Sequence, residues 1–421
     1  MVAPVNGQRH VLLGLASGNP AWTTTICQRL EHHGHSSEFI LCTGAADLFN
    51  RLGTGRLFSA LFVDHRTVGL DREVISRATS AGCPVVVVGG DDESPRWVTL
   101  GAAAVIGSDL PVDAFRQLLS HHASPILATD HLELGSGPPE SASHGWSGRL
   151  VAVTGPGGTG ASVLARHLAA GLGNDPRMRG SVLLLDACLE ADQAFLHGLP
   201  DDHLGPDLQA ATQAHRGGDP DRAGLDKLIV RPTDRPYGLI PGLRRRRDWP
   251  SIGGPSLRAT LVNLRRHHLV SVVDVDPLID LTPPGQALGP STPGEPCRMV
   301  MSLADLVVVV GGTGEHATRS MERLLSNLGD AGISASRLLP ILLAEPTTGR
   351  RTARREARRL DRATPANLES PLVWTDPTNG SPGTGALLAR KVLGALDLLV
   401  GRLDDGGVVP VPVGSLGTRD Q

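Results

Sequence analysis

A glycine-rich run from Gly155 to Gly160 stands between an apolar strand pattern and a helix pattern. Backbone N–H groups in such a loop, together with the N-terminus of the next helix, form a site for phosphate. Glycine allows positive φ values and a close approach of the backbone to the ligand. Ser162 stands where a phosphate loop supplies a hydroxyl ligand to magnesium. The predicted nucleotide-binding residues are Gly155, Gly157, Gly158, Thr159, Gly160, Ala161 and Ser162.

The elements that must position this loop alternate between continuous apolar strands and amphipathic helices. Strands that are apolar on both faces and alternate with helices predict a parallel α/β sheet. The same alternation occurs earlier in the chain, and a polar stretch rich in Gly, Pro and Ser separates the two regions. We therefore predict two doubly wound domains at 8–122 and 149–404, a flexible linker at 123–148 and a disordered tail at 405–421.

Composition limits the classes of function. The 421 residues are 40% hydrophobic and carry a formal net charge of −3, so the chain is globular and has no global positive field for nucleic acid or membrane. Aromatic residues make up 3%, too few for the stacking platforms of single-strand binders. The five cysteines and sixteen histidines show no metal-ligand spacing. Without a signal-peptide pattern or an apolar stretch of about 18 residues, we expect a cytoplasmic protein.

The loop resembles the deviant Walker A motif of the MinD/ParA family, Lys-Gly-Gly-x-Gly-Lys-Ser/Thr. SVLLLDACLEADQ resembles the family's switch segment, with Asp186 as its first carboxylate, and LVSVVDVDP resembles the Walker B strand, with Asp274 as the magnesium-side carboxylate. The resemblance covers about 147–400 and implies a P-loop NTPase fold with ATP and magnesium as cofactors. It makes Ser162 and Asp274 the magnesium ligands if nucleotide binds, and Asp186 and Asp274 the candidate catalytic residues.

The chain departs from the family at three charged positions. Pro156 and Ala161 replace the signature lysine and the phosphate-binding lysine, and Cys188 replaces the carboxylate that positions the attacking water. A hydrogen bond to a charged group contributes about 1.5–3 kcal/mol, so these losses weaken nucleotide binding and remove part of the hydrolytic apparatus. Three alternatives remain open: an empty scaffold, weak nucleotide binding and competent hydrolysis.

The first domain resembles a CheY-like receiver. Asp64 ends its third strand, where a receiver carries its phosphoacceptor aspartate. The acidic pair expected after the first strand is replaced by Ala16, Ser17 and Gly18, and the expected lysine after the fifth strand is missing. Without these groups neither magnesium nor the acyl phosphate is held. We predict a pseudo-receiver; the alternative is that Asp64 is an ordinary strand-end or cap residue.

A receiver-like domain followed by a MinD-like domain resembles the CpaE/TadZ group and the actinobacterial CpaE-like septum site-determining proteins. This resemblance implies a spatial regulator of septum placement or of Tad-type pilus and secretion assembly. It would act through protein partners of those machineries, as a homodimer and with weak or no ATP hydrolysis, recruited to a pole or septum at the inner face of the membrane. The alternative is an active ATP-hydrolysing MinD/ParA-type ATPase.

Two arginine clusters and one helix add further alternatives. Arg244–Arg247 and the arginines between Arg350 and Arg359 could contact DNA or a membrane surface, or they could simply be solvated. The pattern at 384–403 fits a closing core helix better than a membrane-targeting helix, because it carries only three basic residues.

Overall fold

The structure, a computed structural model, describes most of the chain. The described residues are 8–18, 20–32, 37–53, 56–109, 111–127, 147–200, 205–278, 293–344, 350–363, 372–375 and 382–400. The predicted tail at 405–421 and most of the predicted linker lie outside them. The chain divides into two compact units, each built on its own parallel sheet.

The first unit contains a five-stranded parallel sheet in the order β3-β2-β4-β5-β6, which is the strand order of flavodoxin-like doubly wound folds. β1 and β7 form a separate antiparallel pair, and β7 lies at the start of the predicted linker. The strands are β1 (Gln8–Arg9), β2 (Val11–Leu15), β3 (Glu38–Cys42), β4 (Ala60–Asp64), β5 (Val85–Val88), β6 (Ala104–Ile106) and β7 (Ile126–Leu127). The helices are α1 (Ala21–His32), α2 (Ala45–Leu52), α3 (Arg72–Ser80), α4 (Ser94–Thr99) and α5 (Val112–His122).

Both faces of this sheet are covered, as the continuous apolar runs predict. Leu13 and Leu61 pack on one face with side chains of α2 and α3, whereas Leu12 and Phe62 pack on the other with α1 and α5. All four side chains are fully buried. The doubly wound arrangement expected for this region is therefore present.

The second unit contains a seven-stranded parallel sheet in the order β10-β9-β11-β8-β12-β13-β14. Its strands are β8 (Arg149–Thr154), β9 (Val182–Asp186), β10 (Gly238–Ile240), β11 (Val270–Asp274), β12 (Leu306–Gly312), β13 (Leu338–Ala344) and β14 (Leu372–Thr375). Its helices are α6 (Ala161–Gly173), α7 (Gln193–Leu196), α8 (Leu208–Arg216), α9 (Arg222–Asp226), α10 (Gly254–His267), α11 (Glu295–Leu303), α12 (Glu315–Asp330), α13 (Arg350–Ala363) and α14 (Pro382–Val400).

The strand order reverses direction beside β8. β8 pairs with β11 on one side and with β12 on the other, so the chain leaves β8 toward one half of the sheet and later returns to fill the other half. In open parallel sheets, ligands bind beyond the carboxyl ends of the strands at such a switch point. The glycine loop follows β8 at this edge, and Asp186 and Asp274 end β9 and β11 beside it.

The helix α14 is part of the core. Leu388, Val392 and Leu396 are buried with side chains of α6 on one face of the sheet. Its backbone approaches α6 so closely that a Cβ on Gly171 would lie 2.0 Å from the Gly385 carbonyl oxygen. The closing core helix is therefore confirmed for these residues. Among the described helices, none combines the length and apolar character that a membrane-crossing helix needs.

Candidate functional site

The glycine loop is held by its own threonine. Thr159 donates both its backbone N–H and its hydroxyl to the Pro156 carbonyl oxygen, at 3.2 and 2.7 Å. Gly158 and Gly160 have φ values of 78° and 84°, which strain other residues. Gly157 and Gly158 are exposed, and a Cβ at either would meet no atom within 4 Å. The loop therefore forms a defined turn whose outer backbone is open to a ligand.

Gly155 fixes the base of this loop against the neighbouring strand. A Cβ there would lie 2.4 Å from the Val310 carbonyl oxygen and 2.6 Å from Thr159 Oγ1. Both distances are shorter than any normal carbon contact, so only glycine fits. α6 begins directly after the loop at Ala161, and its first N–H groups have no partner within the helix. These donors and the loop backbone are the groups of the site that suit a phosphate.

Two buried carboxylates stand at adjacent strand ends. Asp186 and Asp274 are register partners on β9 and β11 and are 0% and 1% exposed. Asp186 accepts hydrogen bonds from the backbone N–H groups of Cys188 and Gln193, both at 3.0 Å. Asp274 accepts from Gln193 Nε2 at 2.7 Å, and the Ser162 hydroxyl lies near enough to lower the pKa of Asp274. The candidate residues Ser162, Asp186 and Asp274 therefore meet at one edge of the sheet.

The electrostatics of this pair favour the neutral forms. Burial, followed by the nearby Asp274 charge, raises the pKa of Asp186 well above its usual value. Burial raises the pKa of Asp274 to about 6, against the opposing effect of hydrogen bonds from Gln193 and Ser162. Within the part of the chain that the structure describes, no arginine or lysine forms an ion pair with either carboxylate. Among these residues, no other cation in contact with the pair takes the place of the lysines that the resemblance predicts.

Gln193 links the loop, the helix and both carboxylates. It is fully buried at the start of α7, and its Nε2 donates to the Ser162 carbonyl oxygen at 2.8 Å as well as to Asp274. Its Oε1 is buried without a hydrogen-bond partner among the described residues. Gln193 is not among the site residues predicted from the sequence. The only available signal was its position inside the run SVLLLDACLEADQ, which carries no spacing rule for an amide.

Cys188 occupies the position that the resemblance gives to a water-positioning carboxylate. Its thiol is buried, and the sulfur lies within 4.8 Å of a carboxylate oxygen of Asp186 and of Asp274. Burial, and then the neighbouring carboxylates, raise the pKa of this thiol far above its usual value. Asp276, a further carboxylate whose charge acts on this thiol, accepts a hydrogen bond from the Leu189 backbone N–H at 2.5 Å. Cys188 therefore supplies no base at this position.

The hydrogen-bond donors and the oxygen atoms of this site can be compared with what ATP and magnesium need. The open loop backbone and the first turn of α6 suit phosphate oxygens, and the Ser162 hydroxyl and the Asp274 carboxylate are oxygen ligands that magnesium accepts. In the structure, Asp274 Oδ2 accepts the hydrogen bond from Gln193 Nε2 at 2.7 Å. The residues fit the phosphate group and fit magnesium by donor type, and a metal at that oxygen would compete with the Gln193 amide.

The arginine clusters differ in how they are paired. Arg244 forms an ion pair with Asp207 at 3.1 Å, and Arg246 forms one with Glu190 at 2.5 Å. α13 instead carries a row of exposed arginines, and burial of Ala357 and Leu360 fixes its opposite side. The exposed members are Arg351, Arg354, Arg355, Arg358 and Arg359.

Asp64 of the first unit has both carboxylate oxygens occupied. Trp22 Nε1 donates to Oδ2 at 3.0 Å, and the Arg66 backbone N–H donates to Oδ1 at 2.9 Å. Burial raises the pKa of Asp64, but the hydrogen bonds from Arg66 and Trp22 outweigh it and hold the pKa below its usual value. The carboxylate is 5% exposed and is therefore fixed within the unit.

No protein-family model and no curated protein sequence matches this chain. A similar solved structure is a ParA family ATPase from Chlorobium tepidum, with 16% identity, a TM-score of 0.43 and coverage of 60% of this chain and 97% of that one. The septum site-determining protein MinD from Pyrococcus horikoshii, complexed with Mg-ADP, has 16% identity, a TM-score of 0.40 and coverage of 58% and 95%. The ATP complex of a McdA variant from Cyanothece has 14% identity, a TM-score of 0.42 and coverage of 63% and 99%. Because these identities and TM-scores are low, the description of the fold rests on the strand order and the loop geometry of this chain.

Proposed function

We propose that this chain binds a nucleotide phosphate weakly at the glycine loop and hydrolyses ATP slowly or not at all. One observation carries the proposal: the loop keeps its backbone donors, while no arginine or lysine of the described residues forms an ion pair with Asp186 or Asp274. Backbone donors and a helix N-terminus bind phosphate without side-chain charge. Hydrolysis also needs a positioned water and charge stabilisation, and both groups that would provide them are replaced.

Each residue has a defined part in this function. The loop backbone from Gly157 to Gly160 and the first turn of α6 bind the phosphates, and Ser162 and Asp274 hold magnesium when the nucleotide brings it. Magnesium would neutralise phosphate charge at this position. Asp186 anchors α7 through its two backbone hydrogen bonds and so keeps Gln193 against the loop.

The test uses the purified full-length chain in two assays. In a phosphate-release assay, wild type should be no faster than a Ser162→Ala/Asp274→Ala double variant. In a thermal-shift assay, ATP with magnesium should raise the Tm of wild type, since a ligand at 100 times its Kd stabilises by about 2.7 kcal/mol. Magnesium-dependent turnover clearly above the double variant contradicts slow hydrolysis, and a Tm that saturating ATP leaves unchanged contradicts binding.

In the cell, we propose a spatial regulator of septum placement or of Tad-type pilus and secretion assembly, acting through protein contacts as a homodimer. The order of a receiver-like domain and a MinD-like domain in the sequence supports this role. A fluorescent fusion in the organism that encodes the chain should concentrate at a pole or septum. An even distribution of the fusion, with unchanged division and pilus assembly after gene deletion, contradicts the proposal.

The first unit then acts as a receiver-like domain that is not phosphorylated. Its strand order and the bonded state of Asp64 support this reading, because a phosphoacceptor needs a free carboxylate oxygen and a bound magnesium. Its part in the regulator is to contact a protein partner.

A further inference from the structure

Three side chains with metal-binding atoms converge at the ends of β9 and β11. The carboxylates of Asp186 and Asp274 and the thiol of Cys188 place one ligand atom each within 4.8 Å of the others. All three residues are buried. The sequence spacing alone gave no indication of this cluster, because Asp274 lies far along the chain from the other two.

A bound cation would stabilise the two buried carboxylates of this cluster. Two carboxylates at adjacent strand ends are buried, and none of the ion pairs in the described residues includes either of them. Like charges in a buried site are costly unless protons or a metal ion compensate them. A divalent cation would neutralise both carboxylates at once, whereas a shared proton would neutralise one.

The geometry is close to that of a bound metal. The corners of a triangle with sides of 4.8 Å lie about 2.8 Å from its centre, whereas zinc binds oxygen and sulfur at about 2.0–2.3 Å. Side-chain shifts of at most about 0.5–0.8 Å therefore bring all three atoms into range. The outer partners are also in place, because backbone N–H groups hold Asp186 while the Gln193 amide holds Asp274. Such outer hydrogen bonds orient metal ligands.

A separate observation points to a ligand at the same place. Gln193 Oε1 is fully buried and has no hydrogen-bond partner in the described part of the chain. The nitrogen of the same amide contacts Asp274 at 2.7 Å, so this oxygen lies beside the cluster. A buried carbonyl oxygen without a partner costs about 1–3 kcal/mol, and coordination to a metal would satisfy it.

We propose that Asp186, Cys188 and Asp274 form a binding site for a divalent transition metal of the zinc class, with Gln193 Oε1 as a further donor. A thiolate ligand favours zinc or cobalt over magnesium, which prefers oxygen ligands. On binding, the Cys188 thiol releases its proton to solvent, and no electron is transferred. The site needs no nucleotide and does not rest on the proposed function, although it shares Asp274 with the predicted magnesium position.

The experiment titrates the chelator-treated full-length chain with Co²⁺ in the absence of nucleotide. Wild type should develop the near-ultraviolet absorption of a cobalt–thiolate bond and the visible bands of low-coordinate cobalt. Equimolar Zn²⁺ should abolish both, and Mg²⁺ should not. Cys188→Ser should lose the thiolate band, while Cys297→Ser, which removes another buried cysteine of the same unit, should keep it.

A second measurement keeps the proposal testable if Cys188→Ser does not fold. Loss of a hydrogen-bond partner behind a metal ligand typically weakens metal binding about 10- to 100-fold. Asp274→Asn and Asp186→Asn remove ligands themselves, so each should weaken Co²⁺ binding by more than that. The absence of a thiolate band in wild type overturns the proposal. A band that survives Cys188→Ser, or that disappears equally in Cys297→Ser, also overturns it. Since no nucleotide is present, these outcomes are independent of ATP binding.

Discussion

The substitution Gln193→Met tests whether one amide holds the glycine loop and the strand-end carboxylates together. Gln193 Nε2 donates to the Ser162 carbonyl oxygen at 2.8 Å and to Asp274 Oδ2 at 2.7 Å. Methionine has nearly the same length and volume but donates nothing, so it removes both bonds without opening a cavity. The backbone N–H of residue 193 keeps its bond to Asp186, so the start of α7 stays in place.

The expected change in the free energy of unfolding follows from three polar atoms. They are the Ser162 carbonyl oxygen, Asp274 Oδ2 and Gln193 Oε1. A bond to a neutral carbonyl contributes about 0.5–1.5 kcal/mol, and a bond to a carboxylate about 1.5–3 kcal/mol. Methionine also removes the partnerless Oε1, whose burial costs about 1–3 kcal/mol in the wild type. The net decrease in the free energy of unfolding is therefore about 1–2 kcal/mol. For a domain of this size, the expected decrease in Tm is about 2–8 °C.

The assay is thermal and urea denaturation of the full-length chain in chelator, so that neither metal nor nucleotide contributes. The matched control is Gln209→Met, because Gln209 is an exposed glutamine of the same unit. Gln193→Met should lower both the urea midpoint and the Tm, and Gln209→Met should change neither. Equal stability of the two variants would refute the idea that the Gln193 amide carries these contacts.

Three further predictions concern charge. Ala161→Lys should bind ATP with magnesium more tightly by about 1.5–3 kcal/mol in calorimetry, because it restores a cation at the loop, whereas Gln209→Lys should not. Acetyl phosphate with magnesium should leave the intact mass unchanged, and a phosphoryl group that disappears in Asp64→Asn would contradict this. Burial lowers the pKa of His268 to about 4, so the folded state binds fewer protons than the unfolded state between about pH 6.5 and 4. Stability should fall by about 3 kcal/mol as pH decreases through this window, and His268→Gln, unlike His121→Gln at an exposed position, should flatten that dependence.

The parts of the fold that follow from the sequence are those with continuous apolar strands. β4, β5, β8 and β11 are buried on both faces, and the uninterrupted apolar runs predict them directly. β3 was not among those runs because it is an edge strand: Glu38 to Ile40 are only half-buried, and Leu41 is 37% exposed. An edge strand meets less apolar surface, so its sequence carries a weaker pattern.

The candidate site also has one part that the sequence predicts and another that it does not. The glycine loop was predictable because positive φ values and close approach require glycine at Gly155, Gly158 and Gly160. Gln193 was not, because its place depends on a backbone bond to Asp186 seven residues earlier and on a side-chain bond across the sheet to Asp274. Long-range side-chain contacts of this kind leave no periodicity in the sequence. The thiol of Cys188 became significant only once Asp274 was brought beside it.

The proposed weak nucleotide binding would have two separable causes. Alanine at position 161 supplies no charged hydrogen bond to a phosphate, a difference of about 1.5–3 kcal/mol. In addition, Asp274 Oδ2 already accepts a hydrogen bond from Gln193 Nε2 at 2.7 Å, and magnesium at that oxygen must displace this donor, which costs about 1–2 kcal/mol more. Ala161→Lys addresses only the first cause, so its affinity should stay below that of a site whose Asp274 accepts no such bond. Because Gln193 holds the same carboxylate, Ala161→Lys combined with Gln193→Met should bind magnesium-ATP more tightly than Ala161→Lys alone, although it unfolds more easily. Equal affinity of the two variants would mean that the internal bonds do not compete with the ligand, and that the lysine alone limits binding.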